Sequence, residues 1–160
     1  MGESGSSMQL TRAADYAVRV MIHLAALPAN QRVQLPALAH ATEAPMSFLS
    51  KVLQGLCRAG FIASRRGQSG GFEILPPGRN ASVRAVIEAI EGPISLNLCL
   101  TTGASCKRKS YCPAHPIWVK AQEAMMGVLS TANVAELAAE QAEPQPRVSG
   151  GRGKAAGNAA

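Results

Sequence analysis

The chain has 160 residues, 47% of them hydrophobic but only 4% aromatic, and a net charge of +6. That length holds one domain, or a small domain with a long appendage, and its core must be built from aliphatic side chains. There is no apolar run long enough to span a bilayer, and the polar start around Glu3 lacks the basic and apolar regions of a signal peptide. The expected location is therefore the cytoplasm, where clustered cysteines act as ligands or redox groups more often than as crosslinks.

Residues 1–7 are rich in Gly and Ser and are expected to form a disordered extension. Thr11 can cap a first helix, in which Ala17, Val20, Met21 and Leu24 recur at helical spacing. It ends before Pro28-Ala29-Asn30. A second, short helix starts near Leu35-Pro36 and stops near Thr42, with proline tolerated in the first turn. A third opens around Pro45-Met46-Ser47, carries Leu49, Val52, Leu53 and Leu56, and stops at Gly60. Two short helices joined by a tight turn make a helix-turn-helix. Phe61–Arg65 and Phe72–Leu75 read as strands joined by a loop at Gly67-Gln68-Ser69-Gly70-Gly71, a hairpin that forms the wing. Pro76-Pro77-Gly78 ends the unit.

Ser82 caps the next helix, with Val83, Val86, Ile87 and Ile90 on one face and Gly92-Pro93 as its stop. A long helix follows from Pro116, with Ile117, Ala121, Ala124, Met125, Val128 and Leu129. This stripe exceeds what a small winged domain needs for its own core, and a second copy of the same helix could cover it. A last short helix at Val134–Ala138 packs back, and residues 143–160 form a disordered basic tail. The fold class is mainly α with a small β wing: a winged helix-turn-helix over residues 8–80, then residues 81–142 with a further helix, a cysteine loop and a long dimerisation helix.

Residues 8–80 carry eight Lys/Arg and three Asp/Glu, a balance that suits a polyanion such as double-stranded DNA. The early side chains of the third helix would meet base edges: Ser47, Phe48, Ser50, Lys51 and Gln54. Lys51 can reach phosphate or guanine, and Gln54 can pair with adenine. Phe48 has an equal claim as a contact between helices. Arg65 and Arg66 flank the wing, where arginine can enter a narrow minor groove, and Gly67, Gly70 and Gly71 let the backbone approach. Arg12 is assigned to a phosphate, whereas Arg32, Arg58 and Arg79 are assigned to solvent. Cys57 reads as a buried small residue, and His23 and His40 as ordinary surface or packing residues.

Cys99, Cys106, Cys112 and His115 form the pattern C-x6-C-x5-C-x2-H. Thiolates are soft donors suited to iron–sulphur clusters, and His115 can fill the position that three cysteines leave open. The positive end of the following helix, with Lys107, Arg108 and Lys109, would stabilise an anionic cluster. Zinc, for which three cysteines and a histidine are a good set, is the rival metal. A metal-free thiol switch is a further alternative.

The chain resembles the winged-helix regulators typified by IscR, NsrR and RirA. The resemblance runs from Met8 to about Glu140. It is carried by Met8-Gln9-Leu10-Thr11 with Asp15-Tyr16-Ala17, the Leu56-Cys57-Arg58-Ala59-Gly60-Phe61-Ile62 stretch, Arg66-Gly67-x-x-Gly70-Gly71 and the three cysteines. It implies a homodimeric transcriptional regulator, usually a repressor, that binds partly palindromic operators and senses iron, nitric oxide or redox state through a cluster. The Cys112-x2-His115 step is similar to that of regulators holding a 2Fe–2S cluster. Asp15 stands where relatives supply an aspartate from the other subunit to a 4Fe–4S cluster. Both cluster types and both fourth ligands stay open.

No Ser/His/Asp set, substrate-pocket motif or phosphate-binding glycine loop is present, so no enzyme activity and no small-molecule substrate are expected. A small iron–sulphur electron carrier is the alternative from another class, but it would not need a helix-turn-helix and wing.

Overall fold

A computed structural model describes residues 10–101 and 106–142. The expectations for residues 1–7 and 143–160 lie outside the described residues. Helix α1 spans Arg12–Ala26, and Thr11 caps it by accepting from the Ala14 amide at 3.3 Å. Its buried side is Ala14, Ala17, Val20, Met21, Leu24 and Ala25. Helix α2 (Leu35–Thr42) ends at Glu43, a left-handed residue with φ 53°, and α3 (Met46–Arg58) follows after a short turn. Leu49, Val52, Leu53 and Leu56 face inward from α3, as the periodicity predicts.

Strands β1 (Ile62–Arg65) and β2 (Gly71–Ile74) pair antiparallel, with Ile62 opposite Ile74 and Arg65 opposite Gly71. The hairpin does not stand alone. Val33 and Phe72 exchange two backbone hydrogen bonds at 2.9 Å, which fastens the wing to the segment just before α2. Arg32 also pairs with Glu73 of β2 at 3.2 Å.

Pro76–Arg79 forms a one-turn helix, α4, where the sequence reading has only a terminator. Proline has no amide to lose in a first turn, so a Pro-Pro start is compatible with a helix. The solvent roles given to Arg32 and Arg79 are corrected. Arg79 donates to the carbonyls of Ala25 and Leu27 at 2.6 and 3.2 Å, capping the open end of α1.

Helix α5 (Val83–Glu91) is capped by Ser82, which accepts from the Ala85 amide at 3.1 Å. The long helix α6 (His115–Thr131) begins one residue ahead of Pro116, and α7 (Val134–Ala142) follows. The junction between α6 and α7 is stitched to the start of α5. Val83 donates to the Ala132 carbonyl and Val134 to the Ala81 carbonyl. Helix α7 then packs along α1, so Val134 and Ala138 join the core formed by Val20, Leu24, Leu38, Leu53, Leu56 and Val86. By contrast, α6 buries none of its residues, and Ile117 and Val128 are 60% and 69% exposed. Among the described residues, no helix is long and apolar enough to cross a membrane.

Candidate nucleic-acid interface and cysteine site

The outer face of α3 and the wing border one groove of about 540 Å³, lined by Ser50, Gln54, Cys57, Arg58, Arg65 and Arg66. Among the described residues, no carboxylate lines it. Ser47, Lys51 and Gln54 are exposed on α3, and Arg65 and Arg66 are exposed on the wing. None of Lys51, Arg58, Arg65 and Arg66 enters an ion pair among the described residues. Their charge is thus available to an anion.

Ser50 is half-buried and donates to the Met46 carbonyl at 3.0 Å, so its hydroxyl serves the helix itself. The Phe48 ring meets Tyr16 edge-on with centroids 5.7 Å apart, yet stays 40% exposed. This ties α3 to α1 and leaves one ring edge outside. Arg12 is exposed at the start of α1.

The wing loop depends on its glycines. Gly67 and Gly71 have φ of 106° and 128°. A Cβ on Gly70 would lie 2.2 Å from the Arg65 carbonyl oxygen, and one on Gly71 would lie 2.6 Å from that of Val33. Gln34 braces the loop by donating from Nε2 to the Gln68 carbonyl at 3.0 Å. Sequence reasoning missed Gln34, since nothing local marks a glutamine before a helix as a wing support.

Cys57 is half-buried in the groove rather than fully buried. Burial pushes its thiol up, and a hydrogen bond with Ser64 pulls it part of the way back.

Cys99 sits in a 3-10 turn at Leu98–Leu100. Cys106 and Cys112 lie in the turns that lead into α6, and His115 is the first residue of that helix. All three cysteines are half-buried free thiols. The His115 amide donates to the Cys112 carbonyl at 3.1 Å, which holds these two donors in one turn. Nδ1 of His115 is buried and has no hydrogen-bond partner among the described residues. Such an atom costs about 1–3 kcal/mol unless something satisfies it, and a metal would. The donor set therefore fits a cluster in its chemistry. Its geometry is open: among the described residues, no three Cys, His, Asp or Glu side chains gather around one point. Asp15 lies on the surface of α1 and pairs with Arg19 at 2.7 Å, both side chains about half exposed.

Two further side chains hold the ends of the cysteine segment. Glu91, the last residue of α5, accepts from both the amide and the hydroxyl of Thr11, joining that end to the start of α1. The Gln122 amide on α6 donates to the Ile94 carbonyl and accepts from the Leu96 amide, each at 2.8 Å. Neither contact is legible from spacing, because each joins residues far apart in the chain.

A helix-turn-helix followed by a hairpin wing is the winged-helix fold of DNA-binding regulators. Residues 10–140 match the Rrf2 family, described as an iron-dependent transcriptional regulator, and the chain belongs to that family. It is 29% identical over 136 residues to the HTH-type transcriptional regulator NsrR of Geobacillus kaustophilus, covering 84% of this chain and 92% of that one. It is 28% identical over 130 residues to protein rrf2 of Nitratidesulfovibrio vulgaris, covering 81% and 87%. The crystal structure of Staphylococcus aureus CymR superposes with a TM-score of 0.64 at 26% identity, over 80% of this chain and 96% of that one. The structure of T. potens IscR gives 0.65 at 22% identity, over 88% and 95%, and shares the fold. The family and the relatives' names make the protein a transcriptional regulator rather than an enzyme.

Proposed function

We propose that two copies of this chain, joined along α6, form a cytoplasmic repressor whose hold on its operator is set by an iron–sulphur cluster at Cys99, Cys106, Cys112 and His115. The observation that carries the reading is the buried nitrogen of His115, without a partner among the described residues and held in one turn with Cys112 at the positive end of α6. When bound, the cluster supplies an anionic centre whose charge and integrity change with iron, nitric oxide or oxidant.

The chain's own residues do the rest. Residues 8–80 grip DNA: Ser47, Lys51 and Gln54 face the major groove, and Ser50 and Phe48 border that row. Arg65 and Arg66 reach from the wing, with Gly67, Gly70 and Gly71 letting it approach, while Arg12 meets phosphate. Residues 81–142 carry the donors and the dimer helix, whose exposed Ile117 and Val128 suit a second copy. Asp15, from the other subunit, is the alternative to His115. Because Glu91 ties the cysteine segment to the cap of α1, closing that segment around a cluster reorients α1 and, through it, α3.

Anaerobic purification tests this, with iron and sulphide counts and a visible spectrum, repeated for Cys106→Ala, His115→Ala and Asp15→Ala. A coloured protein that loses its absorbance with Cys106→Ala and one of the other two supports the reading. A colourless, iron-free dimer from iron-replete cells that still binds its promoter overturns it.

One observation favours a second reading, a zinc or thiol sensor: the three cysteines are not gathered among the described residues. Zinc would leave the spectrum blank and show by metal analysis, and a thiol switch would show as oxidant-dependent DNA release without metal.

A further inference from the structure

We infer that Gln122 is a positioning residue for the cysteine site, clamping the backbone of Ile94 and Leu96 onto the face of α6 that carries His115. The inference rests on the reading of the cysteines and His115 as a metal site.

Beyond α5 the chain turns at Gly92, with φ 80°, and then at Pro93, which offers no amide. Residues 93–97 belong to no helix or strand. Among the described residues, no backbone group bonds the Ile94 carbonyl or the Leu96 amide. The Gln122 side chain bonds both, at 2.8 Å each, using its donor and its acceptor as a neighbouring strand would. Half-buried Gln122 is thus the anchor of a segment that lacks secondary structure.

The anchor point is informative. Gln122 follows His115 by seven residues, which places both on one side of α6, two turns or about 10.5 Å apart along the axis. Cys99 follows Leu96 by three residues, and three residues span at most about 10 Å. The 3-10 turn holding Cys99 packs against α6. A chain clamped at Gln122 therefore keeps Cys99 beside α6, the helix whose first residue is His115. Without the clamp the stretch between Gly92 and the 3-10 turn loses its hydrogen-bonded anchor, and a metal must order more of the segment as it binds. Side chains that orient ligands in this indirect way matter to metal affinity.

The test compares the full-length protein with Gln122→Met, Gln122→Glu and the exposed control Glu123→Gln, each loaded anaerobically with iron and sulphide. Two quantities are read: hydrogen exchange of the Leu96 amide in the metal-free protein, and the lifetime of the visible absorbance under chelator. Gln122→Met, similar in length but without an amide, is expected to keep wild-type helix content and lose Leu96 protection. Its absorbance should decay about tenfold faster than wild type, at the low end of what loss of an outer ligand support costs. Gln122→Glu keeps the acceptor towards Leu96 and gives an intermediate lifetime, and Glu123→Gln changes nothing. A coloured wild type with a Gln122→Met protein of equal lifetime overturns the role of Gln122 alone. So does a Gln122→Met protein that keeps Leu96 protected. A wild type that takes up no cluster overturns the metal site and this inference with it, whatever Leu96 does.

Discussion

Arg79 shows how a single side chain can close a helix from a distance. It donates to two carbonyls at the end of α1, more than fifty positions upstream. Charged hydrogen bonds of this kind contribute about 1.5–3 kcal/mol, so Arg79→Ala is expected to lower unfolding free energy by about 2 kcal/mol in urea titration. Cys57 makes a different point. Its thiol is held above the ordinary range by burial, so the folded chain keeps that proton more tightly than the unfolded one. The contribution to stability is complete below the ordinary thiol range and is lost as the pH climbs through the raised value. In metal-free protein, Cys57 is accordingly expected to alkylate more slowly at neutral pH than an unfolded-chain thiol, as read by peptide mass mapping, with the rate recovering at alkaline pH. Neither effect is written in the local sequence, because Arg79 has no neighbour to pair with and Cys57 looks like any small apolar residue beside Leu56.

At the scale of elements, the helices α1, α3 and α5 were legible because apolar spacing and caps agree. Thr11 and Ser82 both cap as expected, and the inward faces are those that the period selects. The wing was legible as a hairpin from its glycines. What the sequence could not show is that the hairpin is braced by Val33, Gln34 and Arg32, since these contacts cross about forty residues and follow from tertiary packing alone. Helix α4 was hidden for another reason: Pro-Pro-Gly reads as a breaker, although proline is also a good helix opener. The donor pattern of the cysteine site was plain, whereas its supports, Gln122 and Glu91, were ordinary polar residues with no motif. The wing yields a direct expectation. Gly71→Ala places a Cβ against the Val33 carbonyl at a φ that L residues rarely adopt. It should disrupt the Val33–Phe72 bridge and weaken DNA binding while leaving helix content by circular dichroism near wild type.

For the molecule as a whole, α6 stands out, because it packs on α5 and on the 3-10 turn yet buries none of its residues. If two copies join along α6 as proposed, Val128→Asp is expected to convert that dimer into monomers in sedimentation, and to weaken operator binding through loss of the second half-site. Charge gives a second expectation at this scale. If Arg66 meets one phosphate in each half, Arg66→Ala should flatten the slope of log affinity against log salt by about 2 for the dimer.

The pair of bonds between Val33 and Phe72 carries a consequence for how any signal must travel. They tie the second strand of the hairpin to the segment that leads into α2, so the wing is braced at a point beyond its own pairing. If the cysteine segment carries a signal as proposed, this brace opposes its delivery by movement of the wing alone. In the proposed dimer, the signal would instead open or close the two halves like a pair of callipers, altering the gap between the tips.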